Sequence, residues 1–128
     1  MPKTYPIYLV DDEERVRELL GELCADRGLD CRGFADGDEF LGVLDELEPG
    51  CVLLDMRLPR LSGLQVQAQM LERGRALPVV AITGHADADM AVESMKMGAV
   101  DFLQKPFPGE VLFEAIGRAF ARLEQWEA

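Results

Sequence analysis

The stretch Cys51-Val52-Leu53-Leu54-Asp55-Met56-Arg57-Leu58-Pro59 decides how this chain folds. Its first four residues are apolar without alternation, the mark of a strand covered on both faces, as in a parallel sheet. Asp55 ends the run and opens the loop, which places a carboxylate at the carboxyl edge of the sheet, where open α/β folds build their sites. Other runs end in the same manner. Ile7-Tyr8-Leu9-Val10 leads into Asp11 and Asp12, Val79-Val80-Ala81-Ile82 into Thr83, and Val100-Asp101-Phe102-Leu103 toward Lys105.

Between these runs the apolar spacing becomes helical. Val16, Leu19, Leu20, Leu23 and Cys24 form one stripe, stopped by Gly28. Residues 29–34 make a weaker strand, interrupted by Gly33. Asp36-x-x-Glu39 resembles a capping box ahead of Phe40, Leu41, Leu44 and Leu47. Ser62 is placed to cap a helix carrying Leu64, Met70 and Leu71. Met90, Ala91, Val92 and Met95 give a fourth apolar face, and Val111, Leu112, Ala115, Ile116, Ala119, Phe120 and Leu123 the clearest stripe of all. Strand and helix thus alternate five times, which predicts a mostly parallel sheet with helices on both faces. Five such units suit the flavodoxin-like (βα)5 three-layer sandwich with strand order 2-1-3-4-5, which sets the ends of the first and third strands side by side.

Bulk composition narrows the function. At 128 residues, with 48% hydrophobic and 29% charged residues, the chain fits a single domain with a real core. No apolar stretch approaches a membrane span, and the N-terminus lacks the apolar stretch of a signal peptide, so a cytoplasmic protein is expected. A net charge of −11 argues against direct nucleic-acid binding by this domain, because phosphate backbones require clustered Lys and Arg. Cys24, Cys31 and Cys51 lie inside apolar patterns without a close Cys-x-x-Cys pair, which predicts reduced thiols in the core.

Three carboxylates, a hydroxyl and an ammonium on one edge suggest phosphoryl chemistry. Crowded acids repel and need a cation. An oxygen-only set without His or Cys favours a hard ion, with Mg2+ the natural candidate. Lys105 adds a fixed charge that would help neutralise a phosphoryl group in transfer. A carboxylate can be the nucleophile, giving an aspartyl-phosphate. Taken singly, each group has a plainer role: helix capping for Asp11 and Asp12, loop starting for Asp55, turn formation for Thr83, a solvated charge for Lys105. Their joint occurrence at successive strand ends favours one site.

The segments Val10-Asp11-Asp12, Leu54-Asp55-Met56-Arg57-Leu58-Pro59, Ser62-Gly63, Ile82-Thr83-Gly84 and Lys105-Pro106-Phe107 together resemble the receiver domain of two-component response regulators. Thr83-Gly84-His85-Ala86-Asp87 and Met97-Gly98-Ala99-Val100-Asp101-Phe102-Leu103 look most like the FixJ-type branch. The resemblance implies one receiver domain over residues 1–128, with a DNA-binding output domain outside this chain. It implies that Asp55 accepts a phosphoryl group from a sensor histidine kinase. Asp12, Asp55 and the Arg57 main-chain carbonyl would hold Mg2+, with Asp11 acting chiefly through water. Lys105 would pair with the phosphoryl group, and its bond to Pro106 would be cis. Thr83 and Phe102 would form the switch, Phe102 packing into the space that the Thr83 hydroxyl leaves. Phosphorylation would then drive a homodimer through the fourth helix, fifth strand and last helix. Arg57 and His85 stand where this family tunes phosphoryl lifetime.

Other readings fit less well. A phosphatase or phosphotransferase with an aspartate nucleophile would carry a second, general-acid carboxylate two residues on after the first strand, and a cap domain; this strand ends in Asp11-Asp12-Glu13. The expected chain is therefore no enzyme beyond its own Mg-dependent phosphorylation and dephosphorylation. A degenerate interaction module would not need the intact acids, Thr83 and Lys105. No Gly-x-Gly-x-x-Gly follows a strand, which disfavours a dinucleotide site.

Overall fold

Successive side chains of β1 (Ile7–Val10) and β3 (Cys51–Asp55) enter two different cores, which is why their apolar runs do not alternate. Ile7, Leu9, Cys51 and Leu53 face one side; Tyr8, Val10, Val52 and Leu54 face the other. The computed structural model describes residues 3–127, except for the side chains of His85 and Glu127. Within them β1, β2 (Cys31–Phe34), β3, β4 (Val79–Thr83) and β5 (Asp101–Gln104) form one parallel sheet in the order 2-1-3-4-5. The expected flavodoxin-like topology is the one observed.

On one face α1 (Glu14–Asp26) brings Leu20 and Cys24, and α5 (Gly109–Glu127) brings Leu112, Ala115, Ile116 and Ala119. On the other, α2 (Gly37–Gly42) supplies Phe40 and Leu41, and α3 (Gly63–Glu72) supplies Val66 and Met70. Each of the Leu, Ile, Val, Met and Phe side chains among them contributes about 1.5–3 kcal/mol when fully buried. Phe40 is central: its ring meets Phe34 edge-on at 5.3 Å and Tyr8 at 6.4 Å. Phe40→Ala would leave a cavity costing about 3–5 kcal/mol. α4 (Ala88–Lys96) is joined to α3 by a buried reciprocal pair, in which Gln67 Nε2 donates to the Ser94 carbonyl at 3.1 Å and Ser94 Oγ donates to Gln67 Oε1 at 2.7 Å.

Local signals hold with some corrections. Ser62 and Gln65 form a full capping box at α3. At α2 only half of one forms: Asp36 accepts from the Glu39 N–H at 2.8 Å, while the Glu39 carboxylate reaches the Ala35 N–H. The stripe from Phe40 to Leu47 is not one helix, because α2 ends at Gly42 and a 3-10 turn, Leu44–Glu46, continues it. Leu19, Leu71, Val92, Met95 and Val111 fall within the apolar stripes yet are exposed. The three cysteines are free, Cys24 and Cys51 buried and Cys31 half-buried. No helix of the described residues is long and apolar enough to cross a membrane.

Candidate functional site at the carboxyl edge of the sheet

Register assembles the site. Val10 pairs with Leu54, so the next residues, Asp11 and Asp55, emerge side by side. Asp55 pairs with Ile82, and the Thr83 carbonyl receives the Lys105 N–H at 2.8 Å, which carries the row across to β5. Asp11, Asp12 and Asp55 each bring a carboxylate oxygen within 4.8 Å of the others. Asp11 and Asp55 are buried, Asp12 exposed. The bond between Lys105 and Pro106 is cis.

The two buried acids are each held by their own loop. Asp11 Oδ1 accepts from the Glu13 N–H at 2.9 Å, so Asp11 braces the start of α1, whose N-cap residue, Glu13, makes no side-chain cap bond. Asp55 Oδ1 accepts from the Arg57 N–H at 2.9 Å. The second oxygens face one ammonium: Lys105 Nζ lies 3.3 Å from Asp11 Oδ2 and 3.4 Å from Asp55 Oδ2. Gly63 seats the loop from below, since a Cβ there would stand 2.5 Å from the Asp55 carbonyl oxygen and 2.7 Å from Met56 Cα.

The electrostatics are unbalanced in favour of negative charge. Burial pushes the Asp55 carboxyl up to about 6; Asp11 adds to the rise, while the Arg57 N–H and Lys105 oppose it. Burial works against the Lys105 ammonium, but the Asp55 and Asp11 carboxylates outweigh it and hold it above the usual lysine value. One lysine cannot neutralise three converging acids. A small divalent cation with oxygen ligands fits this donor set and charge deficit.

The two residues expected to form a switch lie on neighbouring strands, β4 and β5. Thr83 is buried at the end of β4, and its hydroxyl donates to the Leu103 carbonyl at 3.4 Å. Phe102, one residue before Leu103 on β5, is 46% exposed. Asp87 escaped the sequence reading. It closes a 3-10 turn, His85–Asp87, and takes the Arg57 guanidinium in a two-point grip, Nε to Oδ2 at 3.2 Å and a terminal nitrogen to Oδ1 at 2.5 Å. The available signal was an acid and a base on neighbouring loops of one sheet edge. The His85 side chain lies outside the described residues.

Comparison with known proteins gives the family and the fold. Residues 7–117 match the family model of the response regulator receiver domain. The chain is 43% identical over 113 residues to the response regulator protein TmoT of Ectopseudomonas mendocina, covering 88% of this chain and 51% of the relative. It is 37% identical over 122 residues to the transcriptional regulatory protein FixJ of Azorhizobium caulinodans, covering 95% and 58%. The chain thus spans about half the length of the curated relatives it matches. Among solved structures, the crystal structure of FixJ-N superposes with a TM-score of 0.89 at 37% identity, covering 93% of this chain and 95% of that one.

Proposed function

Since this chain belongs to the response regulator receiver domain family, we propose that it takes a phosphoryl group onto Asp55 from a phosphohistidine of a sensor kinase. One observation carries the proposal. Asp55 is a buried carboxylate with one oxygen fixed by the Arg57 N–H and the other facing Lys105, beside two further acids. Asp55 attacks phosphorus, the phosphorus–nitrogen bond of the donor breaks, and the histidine leaves as neutral imidazole, its nitrogen keeping the bonding pair and its ring having taken a proton from solvent. Lys105 stabilises the charge on the phosphoryl oxygens. Asp12, Asp55 and the Arg57 carbonyl would hold Mg2+, with Asp11 reaching it through water; when bound, the ion would neutralise developing phosphoryl charge. Water attack on the phosphoryl group returns the free carboxylate, so the chain catalyses only its own phosphorylation and reversal.

The message leaves by way of Thr83 and Phe102. Once the phosphoryl group arrives, the Thr83 hydroxyl exchanges the Leu103 carbonyl for a phosphoryl oxygen, and Phe102 turns inward. This alters the face formed by α4, β5 and α5, where Val92 is 53% and Met95 39% exposed. That face forms a homodimer in the phosphorylated state. Residues 1–128 act as one receiver unit of a longer cytoplasmic protein whose DNA-binding output domain regulates transcription; the relatives' doubled length and the name of FixJ support this. The test is incubation with Mg2+ and a small acyl phosphate, followed by intact mass. One added phosphoryl group is expected in the native chain and none in Asp55→Asn. Uptake that persists in Asp55→Asn would overturn the assignment.

A further inference from the structure

Arg57 joins three parts of the site. Its N–H fixes Asp55, its carbonyl lies in the loop assigned to the ion, and its guanidinium grips Asp87 on the loop between β4 and α4. The partners are unequal, the Asp87 side chain being 7% exposed and that of Arg57 73%. The carboxylate is thus built in and the guanidinium lies over it, free to leave. Asp87 is further tied to its own loop, its N–H donating to the Gly84 carbonyl at 3.1 Å. The loop is short and compact: a Cβ on Gly84 would stand 3.4 Å from Asp87 Oδ2. Thr83 precedes it directly, so any movement of the Thr83 end draws on Asp87.

We propose that the Arg57–Asp87 pair is a latch that holds the loop between β4 and α4 in its unphosphorylated arrangement, and that it opens when Arg57 exchanges Asp87 for the phosphoryl group on Asp55. A ligand shifts an equilibrium only through contacts that differ between the two states. The latch supplies such a difference. A phosphoryl group adds about −1.5 to −2 charge and a set of oxygens that suit a guanidinium fork, two residues from Arg57. Loss of the guanidinium frees the loop to bring Thr83 across. Asp87 is a positioning residue here: it acts on the phosphoryl group only through Arg57 and Thr83. The inference rests on Asp55 being the phosphoacceptor.

The test uses amide NMR of the full chain at Thr83, Gly84 and Phe102, with Mg2+ alone and with Mg2+ and beryllofluoride as phosphoryl mimic. In Asp87→Asn the peaks without mimic move along the line toward the mimic-bound positions, and acyl phosphate uptake quickens about fivefold. Arg57→Gln, at an exposed side chain, gives the same displacement without mimic but weakens beryllofluoride binding, because the second partner of the exchange is gone. The double variant is displaced no further than either single one, since both open one latch. Should Asp87→Asn fail to fold, the Arg57→Gln displacement decides alone. Peaks that stay at native positions in the variants, while the native chain takes up phosphoryl normally, overturn the latch and leave the phosphoacceptor standing. A native chain with neither uptake nor a beryllofluoride response overturns both.

Discussion

The two ends of the sheet are made by the same strands and bury opposite kinds of chemistry. At the amino end the buried side chains of β1 and β3 are neutral, and the charge nearby is the Arg75 guanidinium, which binds the Leu47 carbonyl. The Tyr8 hydroxyl donates to the Glu48 carbonyl at 2.6 Å, the Cys51 N–H to the Pro6 carbonyl at 3.0 Å, and Cys31, Ile7 and Cys51 stand in one register row. At the carboxyl end Asp11 and Asp55 are buried against a single lysine. The carboxyl end keeps charge where burial penalises it, and that unfavourable charge is what a cation and a phosphoryl group would relieve.

Four measurements break or sharpen this contrast. Lys105→Met should slow phosphoryl uptake about 100-fold, the usual cost of losing one preorganised electrostatic group, as read by the initial rate of mass gain. A slowing of less than about threefold would remove the lysine from the proposed chemistry.

Glycine offers a matched pair. Gly63 abuts the Asp55 carbonyl, and Gly50 at the other end would put a Cβ 2.5 Å from the Pro6 carbonyl oxygen and 2.7 Å from the Tyr8 ring. Either change to Ala should cost about 2–3 kcal/mol by overpacking, measured by urea unfolding. Only Gly63→Ala should also slow uptake; equal slowing by both would erase the functional difference between the ends.

The third test is pH. With Asp55 held up to about 6, the folded protein keeps a proton between pH 4 and 6 that the unfolded chain has already released. The unfolded state binds fewer protons there, so ion-free protein should lose about 2 kcal/mol of stability as pH rises through that window. Asp55→Asn should flatten the slope, and Mg2+ should restore stability to the native chain but not to the variant. Denaturant titrations in chelator at several pH values provide the check.

The smallest effect belongs to the amino end. Tyr8→Phe should cost about 1 kcal/mol, the worth of one hydrogen bond to a carbonyl, and leave the uptake rate alone.

The contrast also explains what was legible beforehand. Unalternating runs such as Cys51 to Leu54 signal two-sided burial directly, and the alternation of strands with helices then fixes which ends meet. Asp11, Asp55, Thr83 and Lys105 were readable because each ends a strand or directly follows one. Asp87 was not, because its partner Arg57 lies 30 positions away on another loop and no spacing rule links them. Helical stripes likewise identify apolar residues without setting the width of the buried strip, so Leu19, Val92 and Met95 were indistinguishable from core. Strand β2 starts two residues later than the expected 29–34 because the Leu29 N–H still bonds back to the Cys24 carbonyl at the end of α1.

Gln67 and Ser94 give the molecule a fulcrum. Their pair is neutral and enclosed, so ionic strength leaves it tight while weakening the charged Arg57–Asp87 contact at the opposite end of α4. A rod of nine residues, about 13 Å long, is thus pinned near its C-terminal end and released near its N-terminal end. Pulling on the free end tilts such a rod instead of sliding it. Val92, lying between the pin and the pull, would be swung sideways by a displacement that begins at a single carboxylate.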